Sequence, residues 1–224
     1  MAWIERTAYP RLPRSTSARD LAEVFTPTTD ELVWARARTT SDQHCLALLV
    51  SLKCYQRLGY FPRLDRVPAD LASRIRAAAE LGAQVEPCHD SERTLSRHRE
   101  WIRTRMGVTY EPTQVRVIAE SAMREALLSK DNPADVINVA LETLTRRRCE
   151  LPGYTTLDEM CAAVRAEVNG GFHRMTVGRM DAADRARLVE LLSVDPVSRR
   201  SGLAALTQPA PKATVTRLKR HVAF

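Results

Sequence analysis

Glycine is scarce in this 224-residue chain, with eight residues, and aromatic side chains make up only 5% of it. The low glycine content and the steady recurrence of Leu, Val, Ile and Ala exclude collagen-like, mucin-like and disordered classes. No apolar run approaches the roughly 20 residues that a bilayer span requires. The opening residues Met1 to Arg14 have four charges and no apolar stretch of the secretory kind. A soluble cytoplasmic protein is therefore the expectation. The five cysteines, Cys45, Cys54, Cys88, Cys149 and Cys161, are widely spaced and form no Cys-x-x-Cys pair, so neither a disulfide framework nor a zinc site has support. Catalytic patterns are missing too. There is no glycine-rich phosphate loop, no His-Glu-x-x-His and no Gly-x-Ser-x-Gly, and the histidines at 44, 89, 98, 173 and 221 lie scattered along the chain. Cys88-His89-Asp90 reads as a loop before a helix cap.

Basic residues are plentiful: 34 Lys+Arg stand against 27 Asp+Glu, a formal charge of +7. That balance suits a polyanionic partner. Thirty of the 34 are arginine, a bias that GC-rich coding also produces, so the total is a weak signal.

Hydrophobic periodicity is helical almost throughout. Ser17 caps an expected short helix through Phe25. Thr26-Pro27 opens a helix containing Leu32, Val33 and Trp34, and Ser41-Asp42 opens an apolar one through Leu58, stopped by Gly59. Val67-Pro68 starts a helix through Leu81 that ends at Gly82, and Asp90-Ser91 starts a basic one that reaches Met106 and Gly107. Each start offers a short polar acceptor or a proline to the orphan amides of a first turn. A second series is expected from Pro112 to Leu128, Pro133 to Cys149, Thr156 to Val168 and Asp181 to Val194. Asn169-Gly170-Gly171 reads as a break, followed by a short extended piece over Phe172 to Val177. Residues 195–211 have a linker composition, and Val215, Leu218 and Val222 begin one more helix at the end. The predicted fold is all-α: two small helical bundles of helix-turn-helix type, residues 1–107 and 108–195, joined by a short linker, with residues 196–224 as a linker and the start of a further helix.

Two constellations carry a binding argument. In the Ser91 helix, Leu95, Ile102 and Met106 face a core, with Trp101 or His98 alongside. Arg93, Ser96, Arg97, Glu100, Arg103 and Thr104 stripe another face that fits a major groove. The alternative is a solvated face of an ordinary helix. The second runs from Arg146-Arg147-Arg148 through Leu151-Pro152-Gly153-Tyr154-Thr155-Thr156, where Thr156 and Glu159 have capping-box spacing and the new helix would offer amides, hydroxyls and a ring to an anion. Arginines at a helix C-terminus also favour the helix dipole without any ligand. The tail from Arg199 to Arg220 has six basic residues and no acidic one, which suits a phosphate backbone and equally a solvated linker.

The stretches Met1 to Pro10, Phe25-Thr26-Pro27-Thr28, Cys54 to Pro62, Asp90 to Thr94, Lys130 to Asp135, Leu151-Pro152-Gly153-Tyr154-Thr155-Thr156-Leu157 and Val168 to Phe172, in that order, resemble the N-terminal region of transposases of the replicative, Tn-three type. The resemblance covers essentially the whole chain. It implies a helical, non-catalytic region that binds the terminal inverted repeats of a transposon in a bacterial, nucleoid-associated protein. The DDE-type, RNase-H-like domain that cuts DNA would lie elsewhere, and this chain would need no cofactor or metal of its own. Its implied partners are double-stranded DNA and the rest of the transposase or a second transposase subunit. The contact residues come from the helical faces: Arg93, Ser96, Arg97, Arg103, Tyr154, Thr155, Thr156 and Arg165 for bases and phosphates, Arg146 and Arg147 beside them, and Arg11, Arg14, Lys212, Arg217 and Arg220 for backbone or minor groove. A truncated regulatory or repressor fragment that competes or pairs with full-length transposase is the alternative reading.

Overall fold

The computed structural model describes residues 4–12, 24–108 and 110–206. Among them are nine α-helices and no strand, so the all-α class holds. Chain contacts separate two compact units, Met1–Val168 and Asn169–Phe224, which distributes the expected 108–195 module over both. The Ser17 cap, Arg14, Lys212, Arg217, Arg220 and the last helix lie outside the described residues.

The first unit contains two buried clusters. The first forms around α1 (Thr29–Arg36), α2 (Asp42–Leu58), α3 (Ala69–Ala78) and α4 (Glu92–Met106). Helix α2 is its axle: twelve of its side chains are buried, among them Leu46, Leu49, Leu52 and Leu58, because α1, α3 and α4 all pack on it. A helix that is apolar nearly all round belongs in a core. Ser41 caps α2 by accepting from the His44 amide, and Gly59 ends it at φ +73°, a left-handed conformation open to glycine. Gly59 is also a point of close approach: a Cβ there would sit 3.2 Å from Leu151 Cδ1. Helix α1 begins at Thr29, two residues beyond the expected Pro27, because Thr28 and Glu31 form a reciprocal capping box.

The second cluster forms where α5 (Pro112–Ala126) pairs with α6 (Pro133–Arg146) under the first half of α7 (Tyr154–Arg179). Leu157, Met160, Cys161 and Val164 supply the buried stripe of α7 at helical spacing. The start of the chain completes this cluster. Tyr9 is buried in it, stacks on Tyr60 at 5.3 Å and meets Tyr154 edge-on at 5.6 Å. Its hydroxyl donates to the Pro152 carbonyl at 3.0 Å. The two clusters are joined where the Leu151 amide donates to the Gly59 carbonyl at 2.8 Å.

Three sequence expectations are corrected. Helix α3 stops at Ala78 and not at Gly82, since Glu80 takes the left-handed position at φ +56° and the Leu81 amide returns to the Arg76 carbonyl. Helix α6 ends in the same way at Arg146, short of the expected Cys149, with Arg148 in the left-handed position at φ +52° and the Cys149 amide on the Leu144 carbonyl. Asn169-Gly170-Gly171 does not break the chain, and no extended piece follows: α7 runs unbroken to Arg179, with both glycines at negative φ. Each helical glycine costs about 1 kcal/mol relative to alanine, but extending an existing helix avoids the cost of a new nucleus.

In the second unit, α7 continues past Val168, and α8 (Ala182–Leu192) is capped by Asp181. The stretch expected to be linker folds back through a Val194–Ser201 bridge, with the Asp195 carboxylate accepting from the Val197 and Ser198 amides, and leads into α9 (Gly202–Leu206). None of the described side chains from residue 169 onward is buried.

Candidate nucleic-acid interface

Helix α4 is fixed at both ends. The Ser91 side chain accepts from the Thr94 amide, and Gly107 closes the helix at φ +63°. Thr94, His98 and Ile102 form its buried seam. Arg93, Ser96, Arg97, Glu100 and Thr104 remain exposed on the opposite side, as their spacing predicts. Arg93 has no ion-pair partner among the described residues, and Arg97 lies over the Trp101 ring at 5.2 Å, which steadies its guanidinium without neutralising it.

The other arginines of α4 turn inward. Arg103, expected on the outer stripe, instead makes a two-pronged bond with Glu150, Nε to Oε2 at 2.7 Å and Nη2 to Oε1 at 3.2 Å. Its guanidinium also caps the Tyr110 ring at 3.7 Å. With both partners only 18% and 12% exposed, this pair ties α4 to the segment before α7. Arg105 pairs with Asp30 and lies over Trp34 at 4.9 Å. Arg99 lies over Phe61 at 5.5 Å. Only two of the five arginines on this helix therefore face outward.

Arg146 and Arg147 are exposed at the end of α6, Arg146 3.9 Å from Glu142 one turn earlier. Helix α7 opens at Tyr154 and not at Thr156, so Thr156 falls within its first turn and the expected Thr156–Glu159 capping box is not how the helix begins. Thr155 and Thr156 are exposed, whereas Tyr154 is half-buried against Tyr9. Arg165 is half-buried, its Nε enclosed without an acceptor. Arg11 is exposed and 3.8 Å from Glu5.

The seam under α4 gathers three of the histidines that look scattered in the sequence. His98 is 1% exposed, its ring 5.0 Å from that of His89 and 6.0 Å from that of His44. His44 Nε2 in turn lies 2.8 Å from the Asp90 carboxylate. Neither His98 nitrogen has a hydrogen-bond partner among the described residues. Burial first, then the charges of His89, His44 and Arg97, push its pKa down from 6.5 to about 4. No local signal reveals the cluster, since a helix, a loop and another helix each supply one member.

Among the described residues no group of three or more His, Cys, Asp or Glu side chains is placed to hold a metal ion. All five cysteines are unpaired, and burial raises the Cys54 thiol to about 12, where it is inert. No described helix is long and apolar enough to cross a membrane. No curated protein matches the chain. A family model does match residues 1–164, and the chain belongs to that family, described as Domain of unknown function (DUF4158).

Proposed function

We propose that this chain is the DNA-end-binding front of a transposase, recognising terminal inverted repeats without cutting them. The observation that carries the reading is the outer face of α4. A helix capped at both ends and anchored by a buried seam leaves Arg93, Ser96 and Arg97 exposed, with neither arginine ion-paired among the described residues. Arginine and serine side chains on a rigid helix are what base edges and phosphates in a major groove require. Arg146, Arg147, Thr155 and Thr156 stand as a second contact zone around the turn between α6 and α7, in the manner of a helix-turn-helix. The resemblance of the chain to Tn-three-type transposases supports double-stranded DNA as the partner and a nucleoid-associated setting. Arg103 is withdrawn from the contact set, since its guanidinium is already committed to Glu150.

Replacing Arg93 and Arg97 with alanine is expected to lower the preference for the inverted repeat over scrambled DNA by about tenfold or more, at roughly 1–3 kcal/mol per lost base contact. A competition shift assay measures it. A wild-type chain that binds both DNAs equally sinks the reading. A second reading, a regulatory fragment that pairs with full-length transposase, draws on the exposed apolar residues Leu188, Val189 and Leu192 of α8. Size measurement with and without transposase separates the two.

A further inference from the structure

A cleft of about 530 Å³ opens in the first unit, walled by the start of α5, the start of α7, α4 and the loop after α2. Its size falls within the range of small-molecule sites, roughly 300–1,000 Å³. Two kinds of chemistry meet in it. Tyr110 is half exposed and brings an aromatic ring with Arg103 on it at 3.7 Å; Phe61, packed on Tyr55 at 4.5 Å and lying under Arg99 at 5.5 Å and Arg103 at 5.4 Å, brings apolar backing. The polar lining is cationic and hydroxylic, from Arg99, Arg116, Thr113 and Thr156.

The charge accounting favours an anion. Among the described residues, Glu150 is the one acidic residue lining the cleft, and the fork from Arg103 neutralises it. Arg116 is held by Glu120 at 2.8 Å, but Arg99 has no ion-pair partner among the described residues and its Nε is enclosed without an acceptor. Helix α5 adds to the same end. Pro112 occupies its first turn and Glu111 makes no side-chain cap, so the Thr113 amide is left to an outside acceptor. An aromatic wall beside an unpaired guanidinium, hydroxyls and an uncapped helix start matches a flat ring joined to a phosphate.

We infer that this cleft binds a single nucleotide, the base against Tyr110 and the phosphate against Arg99, Thr113 and Thr156. The chemistry is that of a nucleoside phosphate, either free or swung out of a duplex. Assigning it to a base of the bound DNA rests on the DNA-end reading above. Thr156 would then hold a nucleotide outside the duplex stack and not a groove phosphate.

The test uses the full chain labelled with ¹⁵N and titrated with dAMP, dTMP or inorganic phosphate. Saturable shifts are expected at the Thr113 and Thr156 amides and at Arg99 Nε, with dAMP at least tenfold tighter than phosphate. Thr156→Val, an exposed change that leaves the packing intact, and Arg99→Gln should each weaken dAMP at least fivefold. Absence of saturable shifts in the cleft overturns the inference, and so does equal binding of phosphate and dAMP. A second arm scans a repeat-end duplex with single mismatches, because a mismatched base leaves the stack more readily. One position that binds at least fivefold tighter in the wild type, and no tighter than the matched duplex in Thr156→Val, makes DNA the source. If dAMP fills the cleft and no mismatch helps, the nucleotide is a free one. Failure of any duplex to bind overturns the DNA-end reading alone, since the mononucleotide arm judges the cleft by itself.

Discussion

The two cores of the first unit solve the same packing problem with different materials. The first wraps a leucine-rich axle and takes charge inside: Glu31 and Lys53 are 5% and 6% exposed and 3.3 Å apart. In the second, Ala119, Ala126 and Ala140 let α5 and α6 approach closely, while Met123, Ile137, Leu144 and Leu157 fill the space beside that contact. Among the described residues, Asp158 is the one buried charged side chain beside this core. A core with an axle needs bulk and can hold a satisfied polar network, whereas a close helix pair needs small side chains and has little room for one.

The sharpest way to break the first core is Glu31→Ala. Burial acts to raise the Glu31 carboxyl, but the Thr28 amide, Gln56 and Lys53 outweigh it and hold the group below its ordinary range. Removing it leaves Lys53 buried and unpaired and Thr28 without its reciprocal cap, a loss of about 3–5 kcal/mol in urea unfolding. A double change to Met at Glu31 and Lys53 should recover most of that loss, because the pair stabilises less than its separation destabilises. Recovery of none of it would contradict the pairing.

Acid is the next lever, and it too acts on the first core. The folded protein holds His98 neutral down to about pH 4, whereas the unfolded chain takes up a proton near 6.5. The stabilisation is complete above pH 6.5 and is lost as pH falls toward 4, a total of about 3 kcal/mol at 1.36 kcal/mol per unit. His89, also lowered by burial, acts in the same direction. Stability measured at intervals from pH 8 to pH 4 should decline over that window in the wild type and less in His98→Leu. An equal decline in both would remove His98 as the cause. Trp34 and Trp101 both pack in or against the first core, so their fluorescence follows it.

In the second core Ala119→Leu should cost about 1–3 kcal/mol, as extra methylenes at a closed helix contact force side chains off their rotamers. Hydrogen exchange in α5 and α6 should rise more than in α2. The smallest effects are gains. Glu80→Gly, just past α3 of the first core, and Arg148→Gly, just past α6 of the second, relieve a left-handed conformation costing about 1–2 kcal/mol, less glycine's entropy in the unfolded chain, for a net of about 0.5–1 kcal/mol each. Chemical denaturation should register similar gains at both sites. A loss at either would mean that the replaced side chain has a compensating contact.

Legibility in the sequence followed range. Local signals succeeded: Ser41, Ser91 and Asn132 cap helices as read, and Gly59 and Gly107 stop them. Glycine misled where it was not the residue in the left-handed position, as at Gly82, or where helix continuation outweighed its entropy, as at Gly170 and Gly171. The outer stripe of α4 was legible because its period is 3.6, but the loss of Arg103 from it was not. Its partner Glu150 lies 47 residues away, and Asp30 lies 75 from Arg105. The histidine cluster stayed hidden for the same reason.

Tyr9 carries a consequence for the order in which the protein forms. All the buried members of the first core lie between Phe25 and Ile102, so that core can close while synthesis is still in progress. The second cannot, since the Tyr9 hydroxyl must await the Pro152 carbonyl, 143 residues later in the chain. At about 5–20 residues per second of synthesis, that interval is roughly 7–30 s. Once Tyr60 is made, the ring of Tyr9 has a partner to stack on well before Tyr154 and Pro152 exist, so the loop after the first core's axle helps to hold the start of the chain until the second core is complete.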